Sequence, residues 1–457
     1  MVSTWEAYLA DRRDEFYGEL LELLRIPSIS TDPTHKADVA AAGDWVAARL
    51  TKAGVPEVEI VPTAGHPVVI GRWHAAPGKQ TVIVYGHFDV QPVDPLELWE
   101  TPPFEPTEKD GLLFARGGAD MKANMVTLIQ AVEALSQETG APPVNLTFLF
   151  EGEEEIGSPN LPPIVARLKE KLAADVALSA DGGMAGENFP IQLVSTKGLA
   201  GVQVDAQTST TDLHSGSYGA AVPNAVQALV QLAASFHTPD GKVAVEGFYD
   251  DVRELSTEER AKISTFDETD EELIAEAGVQ GLWGEPGYTS LERRWVRPTV
   301  DFNGIWGGFQ GEGTKTVTPA RAHLKITSRL VANQEPDKIQ DLLVKHVEKH
   351  VPANVTMTVQ RFASKAFPYE VSPEHPAMVK QAKVLKEIYG VDAAIARTGG
   401  TVPVNEVFQR ELGVDVVTIG FGLPGSKIHA PNEQYHVNQF GLSQRVYGAF
   451  LTELGAD

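Results

Sequence analysis

The richest chemistry in this sequence lies at 151–158, Glu-Gly-Glu-Glu-Glu-Ile-Gly-Ser. Glu151, Glu153, Glu154 and Glu155 directly follow the apolar run Asn145-Leu146-Thr147-Phe148-Leu149-Phe150. That run reads as a buried strand. Carboxylates at the end of a buried strand are costly unless water, an arginine or a metal cation compensates them. A solvated acidic loop is one outcome, but other positions carry metal-ligand side chains in the same setting. The run Thr81-Val82-Ile83-Val84-Tyr85-Gly86 ends at His87, the run 175–180 ends at Asp181, Asp120 precedes a helix, and His429 lies in a loop. Imidazole mixed with carboxylate suits zinc, manganese or cobalt, whereas oxygen alone suits magnesium or calcium. Together with Glu154 and Glu155 these residues supply enough ligands for two cations roughly 3.5–4 Å apart around a shared water. One carboxylate is left over to take that water's proton.

Such residues meet only if strand ends reach one edge. Helical spacing predicts helices over Trp5–Arg25, Asp38–Lys52, Met121–Leu135 and about Pro163–Leu172. Strands are predicted at Val58–Val61, Val68–Trp73, 81–87, 145–150 and 175–180, with a short hairpin arm at Gly111–Arg116. Alternation of strand and helix implies an α/β fold, a mostly parallel sheet sandwiched by helices. In such sheets, sites form beyond the carboxyl ends of the strands.

From about Lys197 the pattern changes. A strand at Leu199–Thr208 is followed by a helix at Pro223–Phe236, with Pro223 in its first turn. An acidic, irregular stretch over 240–295 carries short helical pieces near Thr257–Ile263 and Glu271–Ala277. Strands at Thr299–Phe302 and Arg321–Leu330, a helix at Asp337–His350 and a strand at Val355–Phe362 complete a β-α-β-β-α-β order. That order is a ferredoxin-like α+β unit with a long insertion. The first pattern then resumes with a helix at Pro376–Tyr389, a strand at Val414–Phe421 and a closing helix at Gln439–Leu454. The predicted organisation is a first domain over 1–196 and 367–457, interrupted by a second over 197–366.

At 457 residues two domains are expected. The absence of cysteine excludes disulfides, thiolate catalysis and cysteine ligands. A formal charge of −24 argues against nucleic acid or an anionic membrane as partner. No basic segment followed by an apolar one opens the chain, and no apolar run is long enough to span a bilayer, so a cytoplasmic location is expected. The glycine-rich Gly311–Thr316 stretch lacks the Gly-Lys pair of a phosphate loop. Ser215 and Ser217 beside His214 form no nucleophile elbow, and the Asp250–Glu276 charge run reads as a solvated face.

Six segments resemble the M20 family of two-metal peptidases, in particular its carnosinase-like, cytosolic non-specific dipeptidase branch. They are Gly86-His87-Phe88-Asp89-Val90-Gln91-Pro92, Arg116-Gly117-Gly118-Ala119-Asp120-Met121-Lys122, the 151–158 cluster, Asp212-Leu213-His214-Ser215-Gly216, Gly399-Gly400-Thr401-Val402-Pro403 and His429-Ala430-Pro431-Asn432-Glu433. The resemblance implies that Asp120 bridges two divalent ions (Zn2+ or Mn2+, or Co2+), that His87 and Asp181 complete one, and that Glu155 and His429 complete the other. It makes Glu154 the general base and Asp89 the group that fixes the His87 tautomer. It implies a cis bond between Asp120 and Met121. His214 would stabilise the oxyanion, Arg329 would hold the substrate carboxylate, and Thr316, Thr401 and Gly400 would make further substrate contacts. In dipeptidase relatives the residues matching His214 and Thr316 reach the neighbouring subunit's site. The 197–366 domain would then be a lid and dimerisation domain in a homodimer, and 1–196 with 367–457 the catalytic domain. Met121 departs from the polar residue many relatives carry.

The expected function is hydrolysis of the amide bond of dipeptides or short peptides. An N-acyl amino acid deacylase with the same metal centre is the alternative. A non-catalytic binding protein on a peptidase scaffold is a third reading, which the intact constellation disfavours.

Overall fold

A computed structural model describes residues 3–266 and 268–456. The chain forms two compact units. One comprises Met1–Val194, Val371–Ile395 and Pro403–Asp457; the other comprises Ser195–Glu370 and Ala396–Val402.

The first unit is built on a six-stranded sheet in the order Glu57–Val61, Val68–Trp73, Asn145–Glu151, Thr81–His87, Val176–Ser179, Val416–Thr418. The last four run parallel; Val68–Trp73 is antiparallel to Asn145–Glu151 and to Glu57–Val61. Val82–Tyr85 and Phe148–Phe150 are fully buried, as strands covered on both faces must be. Register places His87 beside Glu151, so the histidine and the acidic cluster leave the sheet side by side. The helix Ala123–Thr139 packs against the closing helix Asn438–Gly455.

Several local elements differ from the sequence reading. The first predicted helix is two, Thr4–Asp11 and Arg13–Leu24, because Arg12 leaves helical geometry (φ −107°, ψ 12°). The helix expected from Met121 starts at Ala123, since Asp120 and Met121 hold non-helical φ/ψ. The strand expected over Val414–Phe421 shrinks to Val416–Thr418. Beyond it, Gly420 lies against Gly182, the residue after Asp181: a Cβ on Gly420 would sit 2.1 Å from the Gly182 carbonyl oxygen. Glycine at both positions lets two backbones touch where the sheet edge opens.

The second unit contains a four-stranded antiparallel sheet in the order Asp301–Gly307, Arg321–Leu330, Gly198–Gln207, Thr356–Arg361. The helices Ala225–Ser235 and Pro336–His350 cover one face. Leu229, Leu232, Leu343 and Val347 meet Val202, Val204, Leu324 and Ile326 in the core. This is the expected β-α-β-β-α-β arrangement. Pro223 lies outside its helix, whose N-cap is Asn224, its Oδ1 accepting from Gln227 N at 3.1 Å. The insertion holds a further helix, Ser290–Val296, opened by a capping box between Thr289 and Glu292. No helix among the described residues is long and apolar enough to cross a membrane.

Gly420→Ala is expected to lower unfolding stability by about 1–3 kcal/mol, the usual cost of overpacking, read as a fall in denaturation midpoint. An unchanged midpoint would mean the Gly182–Gly420 approach is not tight.

Candidate metal centre

The first unit gathers seven of the sequence-predicted residues at one edge. His87 closes its strand and is wholly buried. Its Nε2 lies 3.2 Å from Asp120 Oδ1. His429 Nε2 lies 3.0 Å from Asp120 Oδ2 and 3.0 Å from Glu155 Oε2. Asp120 thus stands between two imidazoles, one on each oxygen. The donor atoms of His87, Asp120 and Asp181 lie within 4.8 Å of one another, as do those of Asp120, Glu155 and His429. These are two three-ligand groups with Asp120 common to both. The Asp120–Met121 peptide is cis.

Within 151–155, only two carboxylates turn toward this centre. Glu151 accepts from Tyr85 Oη at 2.8 Å and Ser158 Oγ at 2.9 Å. Glu153 accepts from His66 N at 2.9 Å and Asn160 Nδ2 at 2.8 Å. Glu154 and Glu155 remain, and Asp89 holds both: its two carboxylate oxygens accept from their backbone N–H groups at 3.2 and 3.1 Å. The nearest acceptor for His87 Nδ1 is the Asp89 backbone carbonyl at 3.1 Å, with the Asp89 carboxylate at 3.4 Å. Both acceptors leave Nε2 aimed at Asp120, and Asp89 ties the His87 strand to the Glu154–Glu155 turn.

Electrostatics test whether a cation fits. Burial, then the neighbouring charge of Asp120, pushes Asp181 up to about 7. Burial likewise drives Glu154 well above the usual carboxylate range, with Asp181, Glu155 and Asp120 adding to the shift. Burial acts to raise Asp120 too, but hydrogen bonds with His429 and His87 hold it below its ordinary value. Contacts with Asp120 and Glu155 carry His429 up to about 10. Burial alone would depress His87, yet Asp120 and Asp89 keep it well above the usual imidazole value. Carboxylates this crowded and this poorly solvated are relieved by positive charge. The mixed imidazole–carboxylate set fits divalent cations.

The second unit places the remaining predicted residues in two groups. Arg329 Nη1 donates to Thr401 Oγ1 at 2.8 Å. The adjacent Gly400 accepts from Lys197 N at 2.8 Å. Lys197 is buried, its Nζ donating to Arg297 O at 2.6 Å, and burial draws it down to about 7. Elsewhere His214 and Thr316 lie together on exposed backbone: His214 pairs with Val317, and Ser215 N donates to Thr316 O at 3.0 Å. These two groups stand at opposite ends of one strand, Arg321–Leu330.

Sequence reasoning assigned no role to several residues that shape the centre. Gln91 Nε2 donates to Glu155 Oε2 at 2.8 Å. Met121 packs beneath His87, whose backbone N–H meets Met121 Sδ at 3.4 Å. Glu433 is wholly buried and accepts from the backbone N–H of Asp120 at 3.1 Å. Gln91 and Glu433 fall within the motifs, but a motif does not say which way a side chain turns.

The sequence model of peptidase family M20/M25/M40 matches residues 83–453. The chain is similar to the Cys-Gly metallodipeptidase dug1 of Schizosaccharomyces pombe, 30% identical and covering 97% of this chain and 96% of that protein. It is also similar to the human Beta-Ala-His dipeptidase, at 28% identity over 98% of this chain and 91% of that protein. Among solved structures, the M20 family metallo-carboxypeptidase Sso-CP2 from Sulfolobus solfataricus superposes with a TM-score of 0.84 at 32% identity, covering 96% of this chain and 99% of that one.

Cation uptake by the metal-free protein is expected to release protons, because His429 and His87 carry them well above neutral pH and Asp181 shares one near pH 7. Ligation requires the deprotonated forms. Apparent affinity should therefore rise with pH from about 6 and level off above the His429 value near 10. Calorimetric titration in buffers of different ionisation enthalpy measures the released protons; a pH-independent affinity would contradict the protonation assigned here.

Proposed function

The chain belongs to peptidase family M20/M25/M40, and from that premise we propose that it is a two-metal hydrolase cleaving the amide bond of dipeptides or short peptides. The observation that carries this reading is the pair of three-ligand groups sharing Asp120, with Glu154 beside them and outside both. His87, Asp120 and Asp181 would hold one divalent ion, and Asp120, Glu155 and His429 the other. Zinc, manganese or cobalt suits the mixed donors better than magnesium or calcium. When bound, such ions polarise the scissile carbonyl and acidify the attacking water.

Glu154 takes the proton of the attacking water and hands it to the leaving nitrogen. Its burial among carboxylates favours the protonated form, which suits a group that must hold a proton between two steps. Asp89 keeps Glu154 and Glu155 on their turn through the two amide hydrogen bonds. Arg329 pairs with the substrate's terminal carboxylate, oriented by Thr401, while Gly400 presents bare backbone beside it. His214 donates to the oxyanion, with Thr316 adjacent. The relatives named as dipeptidases support a peptide substrate. The deacylase reading needs the same centre and draws no support from them.

Strand geometry supports a homodimer. Arg321 and Arg329 are separated by about 26 Å at ~3.3 Å per residue, and a dipeptide spans only about 7 Å. His214 and Thr316, beyond the Arg321 end, cannot share one dipeptide with Arg329 of the same chain. On this reading a second copy brings them. The Asp301–Gly307 strand has the means: it is a sheet edge carrying exposed Phe302, Ile305 and Trp306, the kind of edge and apolar patch that a protein partner covers.

Assayed in parallel on dipeptides and N-acetyl amino acids, the wild type is expected to favour dipeptides. Glu154→Ala should retain its metal content and lose kcat by at least about two to four orders of magnitude; an active variant would remove the mechanism. Mixing Glu154→Ala with His214→Ala subunits should restore activity to a fraction of the dimers, since one site per heterodimer then has both groups. Absence of any rescue, with mixing verified, would place His214 in its own subunit's site.

A further inference from the structure

We infer that Glu433 is a positioning residue that clamps the His429 loop to the Asp120 turn, and that it governs one ligand group more than the other. Its carboxylate is fully buried and receives four donors from a single turn. Oε1 accepts from Ala119 N at 2.9 Å and Asp120 N at 3.1 Å; Oε2 accepts from Gly117 N at 3.0 Å and Arg116 Nη1 at 2.6 Å. The backbone takes part too: Glu433 O accepts from Ala115 N at 3.1 Å, and the next residue, Gln434, pairs with Phe114. Three backbone N–H groups converge because Gly117 sits at φ 82°, where a Cβ would also lie 2.6 Å from Val90 Cγ1. Arg116 extends the clamp. Its Nη2 donates to Pro92 O at 2.9 Å and Ala430 O at 3.4 Å, and its guanidinium lies over the Trp99 ring.

The asymmetry follows from how each ligand is otherwise held. His87 is locked in a sheet ladder, and Asp181 follows a central strand across Ala180, whose N–H still bonds Tyr85 O at 3.0 Å. His429 has no ladder. It sits at φ 62° in a loop with Lys427 and Asn432 also at positive φ, and its side chain is half exposed. Left-handed backbone at three non-glycine residues persists only where the surroundings enforce it. The enforcement comes from Glu433, four residues on, and from Asn432, which accepts from Glu100 N at 2.7 Å and donates to Leu98 O at 2.9 Å. Loosening Glu433 therefore frees His429 while leaving His87 and Asp181 in place.

Glu433→Gln keeps the volume but turns one oxygen into a donor that faces donors. Resting on the two-cation reading above, the test titrates chelator-stripped protein with Zn2+ or Co2+. The weaker dissociation constant is expected to rise about 10–100-fold, as for other groups that orient ligands, and the tighter one to stay within about threefold. In Co2+-loaded protein the shifted imidazole N–H resonance that His429→Ala removes should broaden or vanish, while the His87 resonance stays. Glu133→Gln breaks a comparable buried pair, with Arg49, away from the centre and controls for general loss of stability. If Glu433→Gln does not fold, Glu433→Asp is read in its place, with a smaller shift in the same constant. Unchanged constants, equal loss of both, or the same selective loss in Glu133→Gln would each overturn the inference. Wild-type protein that binds two cations while Glu433→Gln behaves identically sinks only this inference; wild-type protein that binds none sinks the hydrolase reading and this with it.

Discussion

The structure turns on one shared carboxylate. Asp120 is largely withdrawn from solvent, its side chain 16% exposed, and each of its oxygens faces an imidazole about 3 Å away. A carboxylate out of water is tolerated only when opposite charge and hydrogen bonds surround it. The fold supplies both: His87 from a strand end, His429 from a loop, and Glu433 behind the Asp120 backbone. The parallel sheet explains the rest. Neighbouring strands finish at one edge, so His87, the acidic cluster and Asp181 arrive together without long connections.

Much of this was legible beforehand because it depends on short-range pattern. An apolar run ending in His87 or Asp181 announces a buried strand and what it delivers. The ferredoxin-like order could be read from alternation on Arg321–Leu330 and from the apolar stripe of Pro336–His350. Illegible were contacts whose partners are hundreds of residues apart or are backbone. Glu433 binds the N–H groups of Gly117, Ala119 and Asp120, and no residue type at those positions announces it. Asp89 was expected to serve the His87 ring; its carboxylate is shared with the amides of Glu154 and Glu155. The break at Arg12 and the late start at Ala123 were missed for another reason, since helical spacing continues through both points while the backbone does not.

Within 151–155, four chemically equivalent carboxylates are sorted by their hydrogen-bond partners. Tyr85 and Ser158 engage Glu151, and burial lifts it to about 8. Asn160 and the His66 amide engage Glu153. Gln91 steadies Glu155. The Glu154 carboxylate has no hydrogen-bond partner among the described residues; its backbone N–H donates to Asp89 and its carbonyl accepts from Gly157 N. A side chain that must exchange protons is best left without a fixed partner, because a tight hydrogen bond would favour one protonation state.

Several departures from local preference lie around this edge. Of the non-glycine residues with positive φ, Ser158, Lys427, His429 and Asn432 are here, while Asp110, Ala220, Asn333 and Asn354 mark turns elsewhere, and Gly182 and Gly420 bring two backbones closer than any side chain permits. Away from the edge, the central strands obey ordinary rules of burial and register. Local energy is sacrificed where ligands must converge and recovered in a sheet that needs no exceptions. The ligand with the least regular backbone is also the most exposed one, His429. A loop can present an imidazole to solvent and substrate as a strand cannot, and the cost is that its geometry must be enforced from outside, by a carboxylate with every oxygen occupied.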